Sequence, residues 1–230
     1  MTLVKICGVS TPESALATAE AGADLLGLNF YRQSHRAVSP TAALTIVRAL
    51  RAAGHGLPVV GLFVNEAPNW INVVADEVGL DLVQLSGDES PADLTAIERP
   101  TLRSVRVAAG AEADALDASL ADADARLAGR DGGSLGHPML PLLDAHVPGA
   151  YGGTGTRTDW DIAAALAGRR PLFLAGGLTP ENVGAAIRAA RPFGVDVSSG
   201  VETDKVKDLD KIRDFIAAVR AADREREVPT

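Results

Sequence analysis

The sequence is poor in the residues that form covalent or metal cross-links. Cys7 is the only cysteine among 230 residues, so no disulfide can form within the chain, and zinc motifs built on several cysteines are excluded. No apolar run approaches the roughly 18 residues that a membrane-spanning helix needs. No basic and then apolar segment of the signal-peptide type opens the chain. We therefore expect a cytoplasmic protein that does not associate with membranes.

Positive charge is also scarce. The chain has 22 lysines and arginines against 30 aspartates and glutamates, which gives a net charge of −8. This balance argues against a large basic surface for nucleic acid, and the motifs of the common nucleic-acid-binding domains are absent. It does not exclude a small anionic substrate, because local donors outweigh the net charge inside a cleft.

The sequence does contain a regular alternation of short apolar runs with longer amphipathic segments. The apolar runs predict eight strands, at 3–7, 24–30, 58–64, 81–85, 102–107, 139–144, 172–175 and 194–197. A helical pattern follows each run, and the clearest patterns lie at 10–21, 40–53, 68–78, 159–166, 180–190 and 208–222. Eight such units favour the closed (β/α)8 barrel, or TIM barrel, over an open doubly wound sheet, and 230 residues is close to the roughly 250 that are typical of it.

The boundaries of these units carry three further expectations. Ser10 and Glu13 are spaced as a capping box at the start of the first helix. Residues 121–138, rich in Asp, Ala and Gly, are expected to form an irregular connection at the bottom of the barrel, and the charged tail from about 224 is expected to fray. No linker or fixed-period repeat divides the chain, so residues 1–230 are expected to be one barrel domain.

The barrel rule selects candidate site residues, because the carboxyl ends of the strands and the loops after them build the active sites of these folds. Cys7 ends the first strand, Arg36 lies in the loop after the second, Gln84 lies at the end of the fourth, and Asp144 ends the sixth. The turns after strands six, seven and eight add Gly153, Gly155, Gly176, Gly177, Ser198, Ser199 and Gly200. Glycine lets backbone N–H groups approach an anion closely, and barrels often bind phosphate after strands seven and eight. The alternative is that these glycines only form tight turns.

Strand periodicity places charged residues inside the barrel. Lys5 shares a strand face with Cys7, and a buried lysine needs a partner, for which Asp196 on the eighth strand is the candidate. A structural ion pair and a contact to substrate both remain open for this pair. A lone strand cysteine is usually a small core residue, but the position of Cys7 at the barrel mouth favours a reactive thiol, which a nearby cation would activate.

The same residues resemble the family of phosphoribosylanthranilate isomerases. The matching segments are VKICG at 4–8, VN at 64–65, VQLSGDE at 83–89, LLD at 142–144, GGTG at 152–155, DW at 159–160, LAGGL at 174–178, PENV at 180–183, GVDVSSGVE at 194–202 and KD at 207–208. Together they cover the chain from about 3 to 216. An ordered set of this kind is far more specific than any single motif.

The resemblance implies a reaction and roles for three residues. The family carries out an Amadori rearrangement in tryptophan biosynthesis, in which N-(5-phosphoribosyl)anthranilate becomes 1-(2-carboxyphenylamino)-1-deoxyribulose 5-phosphate. By resemblance, Asp144 is the general acid that opens the furanose to a Schiff base, and Cys7 is the general base that removes the proton from C2. Arg36 is expected to pair with the anthranilate carboxylate. The resemblance implies no metal or organic cofactor, and a small phosphoribosyl substrate bound by a monomer or homodimer.

The chain departs from the family pattern at several positions. Ser86 stands where the family usually has His, Thr158 replaces Phe, Asn29 makes the end of the second strand more polar, and Asp204 with Lys205 replaces a Pro-Gly pair. None of these is the expected acid or base, so they bear on loop geometry and substrate affinity.

Two other functions compete with this interpretation. A histidine-pathway or dual-specificity phosphoribosyl isomerase runs the same chemistry on the same fold, but with Asp at the end of the first strand, where this chain has Cys7. A barrel that only binds a phosphorylated ligand would not need both Cys7 and Asp144.

Overall fold

Eight parallel strands close into a barrel in the order of the chain. The computed structural model describes residues 1–108, 110–145 and 158–227. The strands are β1 (Leu3–Cys7), β2 (Leu25–Asn29), β3 (Val59–Phe63), β4 (Leu82–Leu85), β5 (Thr101–Val107), β6 (Met139–Ala145), β7 (Phe173–Leu174) and β8 (Gly194–Val197). The predicted (β/α)8 barrel is confirmed, and the strand ends lie within two residues of the predicted ones.

Eight α-helices lie among the described residues and cover the outside of the barrel. They are α1 (Pro12–Glu20), α2 (Pro40–Ala52), α3 (Pro68–Val78), α4 (Pro91–Ala96), α5 (Ala113–Arg126), α6 (Trp160–Ala167), α7 (Val183–Ala190) and α8 (Leu209–Glu227). A proline in the first turn starts four of them, where its missing N–H costs no helical hydrogen bond. Among the described residues, no helix is both long and apolar enough to cross a membrane.

The barrel interior is apolar below and polar at the mouth. The lower layer is built from Leu25, Val60, Leu82, Leu102, Leu140 and Phe173. Above it lie Cys7 at the end of β1 and Leu62 near the end of β3, together with the buried polar residues Lys5, Gln84 and Asp196. Polar groups therefore gather at the carboxyl ends of the strands, where a barrel of this type has its active site.

The first helix begins one residue later than the sequence pattern predicts. Thr11, not Ser10, is its N-cap, and Thr11 and Ser14 form the capping box. The reason is Pro12, because a residue before proline is driven out of the helical region into an extended conformation. Thr11 is extended, with φ −135° and ψ 154°, so the helix can start only after it.

The connection before β6 is more regular than expected. Residues 121–126, placed in an irregular segment, continue α5 to Arg126. Leu120 and Ala123 are buried on this helix, and Arg170 donates to Asp117 and Asp124 on it, at 2.7 Å in each case. This packing stabilises a sequence whose composition alone indicates a loop.

The charged tail is also more ordered than expected. Residues 224–227 belong to α8, although fraying was expected from about 224. Asp223 anchors the helix, because its carboxylate accepts hydrogen bonds from the Thr2 backbone N–H and from Thr2 Oγ1, both at 2.7 Å.

A short hairpin after β8 was not predicted. Its strands are β9 (Glu202–Thr203) and β10 (Val206–Lys207). The turn between them is Asp204 and Lys205, both with positive φ, at 51° and 66°. Positive φ at both central residues is the geometry of a two-residue hairpin turn, and aspartate tolerates it better than most residues.

Candidate active site

Cys7 lies at the mouth of the barrel beside a buried lysine. Its side chain is buried at the end of β1, and Gly27 on β2 is its register partner. A methyl group built on Gly27 would lie 3.1 Å from Cys7 Sγ and 3.2 Å from Lys5 Nζ, so both atoms border the same small space. Burial raises the pKa of the Cys7 thiol, and the positive charge of Lys5 opposes this without cancelling it.

Lys5 makes the ion pair that the strand pattern predicts. Its side chain is completely buried, and Nζ donates to Asp196 Oδ1 at 2.9 Å. Burial alone would lower the pKa of Lys5, but the attraction of Asp196 and Cys7 outweighs it and the pKa is raised. The contact with Asp196 thus favours the charged form of Lys5 inside the barrel.

A second cation near Cys7 comes from a residue to which the sequence pattern assigns no role. Lys207 on β10 donates to the Ser198 carbonyl oxygen and to Glu202 Oε1, each at 2.8 Å. Its side chain is nearly buried, and its charge acts on Cys7 in the direction that favours the thiolate. Only the family motif around Lys207 marks it in the sequence.

Asp144 lies in a setting that favours its protonated form. It is in β6 and paired in register with Arg106 on β5. Burial raises the pKa of Asp144 to about 6. The negative charge of Asp196 also raises this pKa, whereas a hydrogen bond from the Ala145 backbone N–H lowers it. A neutral carboxyl group is therefore accessible near neutral pH.

Arg36 is held by a carboxylate. Its Nε and Nη2 donate to the two oxygens of Glu202 at 2.6 and 2.7 Å, a bidentate pair. Burial opposes ionisation of Glu202, but its bonds to Arg36 and Lys207 prevail and hold its pKa at about 2. The arginine stem passes over Gly8, where any side chain would collide with it. Sequence reasoning selected Arg36 but not Glu202, which lies 166 residues away.

The turns after β7 and β8 form a narrow cleft. Its walls include Asp144, Gly176, Gly177, Asp196, Ser199 and Gly200. Gly176 and Gly177 have φ of 85° and 61°, and a side chain on Gly200 would collide with the Leu178 carbonyl group. The geometry of the turns thus requires glycine at these positions. Because glycine has no side chain, an anion in the cleft could also approach the backbone closely.

The side chains of Gln84, Ser86 and Ser104 form a polar cluster inside the barrel. Gln84 Nε2 donates to Ser86 Oγ at 3.0 Å, and Ser86 Oγ lies 2.8 Å from Ser104 Oγ. Within the part of the chain that the structure describes, the buried Gln84 Oε1 has no hydrogen-bond partner. Gln84 lies inside the barrel, as its position on β4 indicates.

Two of the predicted site residues, Gly153 and Gly155, lie outside the described residues. Ser198 is described, and its hydroxyl donates to the Cys7 carbonyl oxygen at 3.0 Å. Across 1–108, 110–145 and 158–227, no three His, Cys, Asp or Glu side chains come together as a metal site. The described site thus combines a thiol, three carboxyl groups, three cations and a glycine-lined cleft.

Comparison with known proteins gives a consistent assignment. The family model described as N-(5'phosphoribosyl)anthranilate (PRA) isomerase matches residues 4–218. The N-(5'-phosphoribosyl)anthranilate isomerase of Roseiflexus sp. (strain RS-1) is 48% identical over 226 residues, which span 95% of this chain and 98% of that protein. The enzyme of the same name from Citrifermentans bemidjiense is 45% identical, over 96% and 98% of the two chains.

Solved structures agree with these sequence matches. The phosphoribosyl anthranilate isomerase of Thermotoga maritima superposes with a TM-score of 0.79 and 36% identity, covering 96% of this chain and all of that one. A phosphoribosyl anthranilate isomerase solved with reduced 1-(o-carboxyphenylamino)-1-deoxyribulose 5-phosphate gives 0.77 and 35%, with the same coverage. With a matched family model and relatives of this identity and length, the chain belongs to the phosphoribosylanthranilate isomerase family.

Proposed function

We propose that this chain converts N-(5'-phosphoribosyl)anthranilate to 1-(2-carboxyphenylamino)-1-deoxyribulose 5-phosphate, with Asp144 as general acid and Cys7 as general base. One observation carries the assignment of roles. Lys5 Nζ borders the same small space as Cys7 Sγ and donates to Asp196 Oδ1 at 2.9 Å, and Asp196 and Asp144 line the same glycine cleft. The thiol and the carboxyl group therefore face one mouth of the barrel.

The first proposed step opens the sugar ring. Asp144 gives its proton to the ring oxygen, the bond from that oxygen to C1 breaks, and the anthranilate nitrogen forms a C=N bond to C1. With a pKa of about 6, about a tenth of the Asp144 side chains keep their proton at pH 7. A positioned acid of this kind contributes roughly 10²–10⁴-fold to the rate.

The second proposed step removes the proton from C2. The Cys7 thiolate takes that proton, the C2–H electron pair forms the C1=C2 bond, and the C=N electrons return to nitrogen. The enolamine then gains a proton at C1 and loses its C2 hydroxyl proton to give the ketone. No metal or organic cofactor enters this proposal, because the imine of the substrate itself is the electron sink.

Arg36 is proposed to bind the anthranilate carboxylate. Glu202 engages Nε and Nη2, and Nη1 is proposed to donate to the substrate. The Arg36, Glu202 and Lys207 side chains together carry one positive charge, which a bound carboxylate would neutralise.

The cleft after β7 and β8 is proposed to bind the substrate phosphate. Its described lining includes the turns at Gly176–Gly177 and Ser198–Gly200, whose backbone N–H groups are proposed as donors. Gly153 and Gly155 are proposed to complete the cleft from the loop after β6. Asp196, which lines the cleft, is proposed to contact the ribose. Gln84, whose Oε1 has no hydrogen-bond partner among the described residues, is proposed to accept a hydrogen bond from the substrate.

The test is a fluorescence assay that follows the loss of phosphoribosylanthranilate. We expect turnover by the unaltered chain, and a loss of at least about 10²-fold in kcat for Cys7→Ala and for Asp144→Asn, with circular dichroism unchanged. Near-normal kcat in either variant would exclude that residue from its role. Turnover of the histidine-pathway substrate at a comparable kcat/KM would instead favour a dual-specificity isomerase.

The same proposal covers the setting of the enzyme. We propose one barrel domain over residues 1–230, a cytoplasmic location, and a monomer or homodimer. Size-exclusion chromatography with light scattering distinguishes the two oligomeric states.

A further inference from the structure

The buried lysine beneath the thiol is the feature that the proposed reaction leaves unused. Lys5 is completely buried, and its charge is costly to bury unless it is compensated. An apolar residue would fill the same space in the barrel at lower cost. Its ion pair with Asp196 explains how the charge is tolerated but not what it does.

The geometry directs the Lys5 charge at Cys7. Both residues are on the same face of β1, and Cys7 Sγ and Lys5 Nζ border the space kept open by Gly27, at 3.1 and 3.2 Å from a methyl built there. An ammonium has three N–H donors, and Asp196 Oδ1 accepts one of them at 2.9 Å. The sulfur atom thus faces a cation that is already fixed in place by its anchor.

The other charged groups around Cys7 lie on other elements of the barrel. Asp196 on β8 opposes ionisation of the thiol, and Lys207 on β10 favours it. Lys207 is engaged by Glu202 and by the Ser198 carbonyl oxygen, and Arg36 by the same Glu202. Asp144 on β6 is separated in sheet order from β1 by two strands. Lys5, whose Nζ borders the same small space as the sulfur atom, is therefore the cation best placed to act on it.

We infer that Lys5 is a positioning residue that stabilises the Cys7 thiolate, with Asp196 as the anchor that holds it in place. The inference rests on the proposed role of Cys7 as base. After Cys7 accepts the C2 proton, it must lose that proton again before the next turnover. A buried cation that is fixed in place favours the thiolate form of Cys7 throughout this cycle. The lysine itself transfers no proton.

The test measures ionisation of the thiol rather than turnover. Because Cys7 is the only cysteine, the rate of alkylation by iodoacetamide against pH reports its ionisation alone. Lys5→Met is expected to raise the midpoint of this curve by about one pH unit or more, and to lower kcat with little change in KM. Lys207→Met, the matched loss of a buried cation, is expected to raise the midpoint by less.

Two results would overturn the inference: an unchanged midpoint in Lys5→Met, or a larger shift in Lys207→Met. If Lys5→Met does not fold, Cys7→Ser with ¹⁵N NMR of the Lys5 amine replaces it. Loss of the thiolate is then expected to lower the pH at which Lys5 titrates. An unchanged titration would contradict an attraction between the Lys5 ammonium and the Cys7 thiolate. Turnover that survives in Cys7→Ala would remove Cys7 as base, whereas the alkylation and NMR results would stand independently of it.

Discussion

At the scale of single residues, the acid and base have pKa values in an order that shapes the pH profile. The pKa of Asp144 is about 6, and burial raises the pKa of Cys7 above its usual range. Between these two values most molecules hold an ionised Asp144 and a neutral thiol, the reverse of the productive form. As the pH rises between these two values, the protonated fraction of Asp144 falls by the same factor by which the ionised fraction of Cys7 rises. The fraction of molecules in the productive form, which is the product of the two, is therefore independent of pH.

We therefore expect kcat/KM to be flat from about pH 6 to the alkaline range. Below about 6 it falls, because Asp144 is already protonated and further acid only removes thiolate. Above the pKa of Cys7, kcat/KM falls again, because nearly all of the Cys7 side chains are then ionised while the protonated fraction of Asp144 continues to fall. A pH series of kcat/KM, compared with the alkylation titration of Cys7, checks this. If the alkylation midpoint of Cys7 coincided with the acidic fall of kcat/KM, this expectation would be contradicted.

At the scale of elements, the sequence patterns predict what depends on local periodicity and miss what depends on distant contacts. All eight strands follow from their apolar runs, because strands buried on both faces require them. The β9–β10 hairpin was missed, since it depends on positive φ at Asp204 and Lys205, two residues that are not glycine. The pair of Arg36 with Glu202 has no local signal, because their elements meet only when β8 closes the barrel onto β1.

The hairpin supplies a prediction of its own, through Glu202 at the start of β9. Glu202→Gln is expected to raise KM about tenfold, equivalent to about 1.4 kcal/mol, with a smaller effect on kcat. The reason is that a bidentate carboxylate fixes the plane of the Arg36 guanidinium, which one amide oxygen cannot do. Steady-state kinetics measure it, and Asp210→Asn, which removes an exposed partner of Arg213, is the matched control with no expected effect. A lower KM would mean that Glu202 competes with the substrate for Arg36.

At the scale of the whole molecule, the last helix ties the two ends of the chain together on the side opposite the mouth. Asp223 on α8 accepts two hydrogen bonds from Thr2, which is 221 residues away, and Arg220 donates to the Thr2 carbonyl oxygen at 2.7 Å. Thr2 precedes the start of β1, whereas Cys7 is at its far end. The contacts that hold α8 thus lie at the start of β1, and the proposed base lies at its other end.

Asp223→Asn is expected to lower the free energy of unfolding by about 2 kcal/mol, because an amide has one acceptor oxygen for two buried donors. Urea unfolding measures the change, and kcat and KM at a temperature below the transition are expected to stay at the values of the unaltered chain. Glu225→Gln on the same helix, which removes an exposed ion pair with Arg188, serves as control and is expected to change stability by less than about 1 kcal/mol. Equal losses in both variants would show that general charge on α8, rather than the buried contact with Thr2, holds the end of the barrel. A fall in kcat for Asp223→Asn would show that the anchor at the bottom of β1 also positions Cys7 at its top.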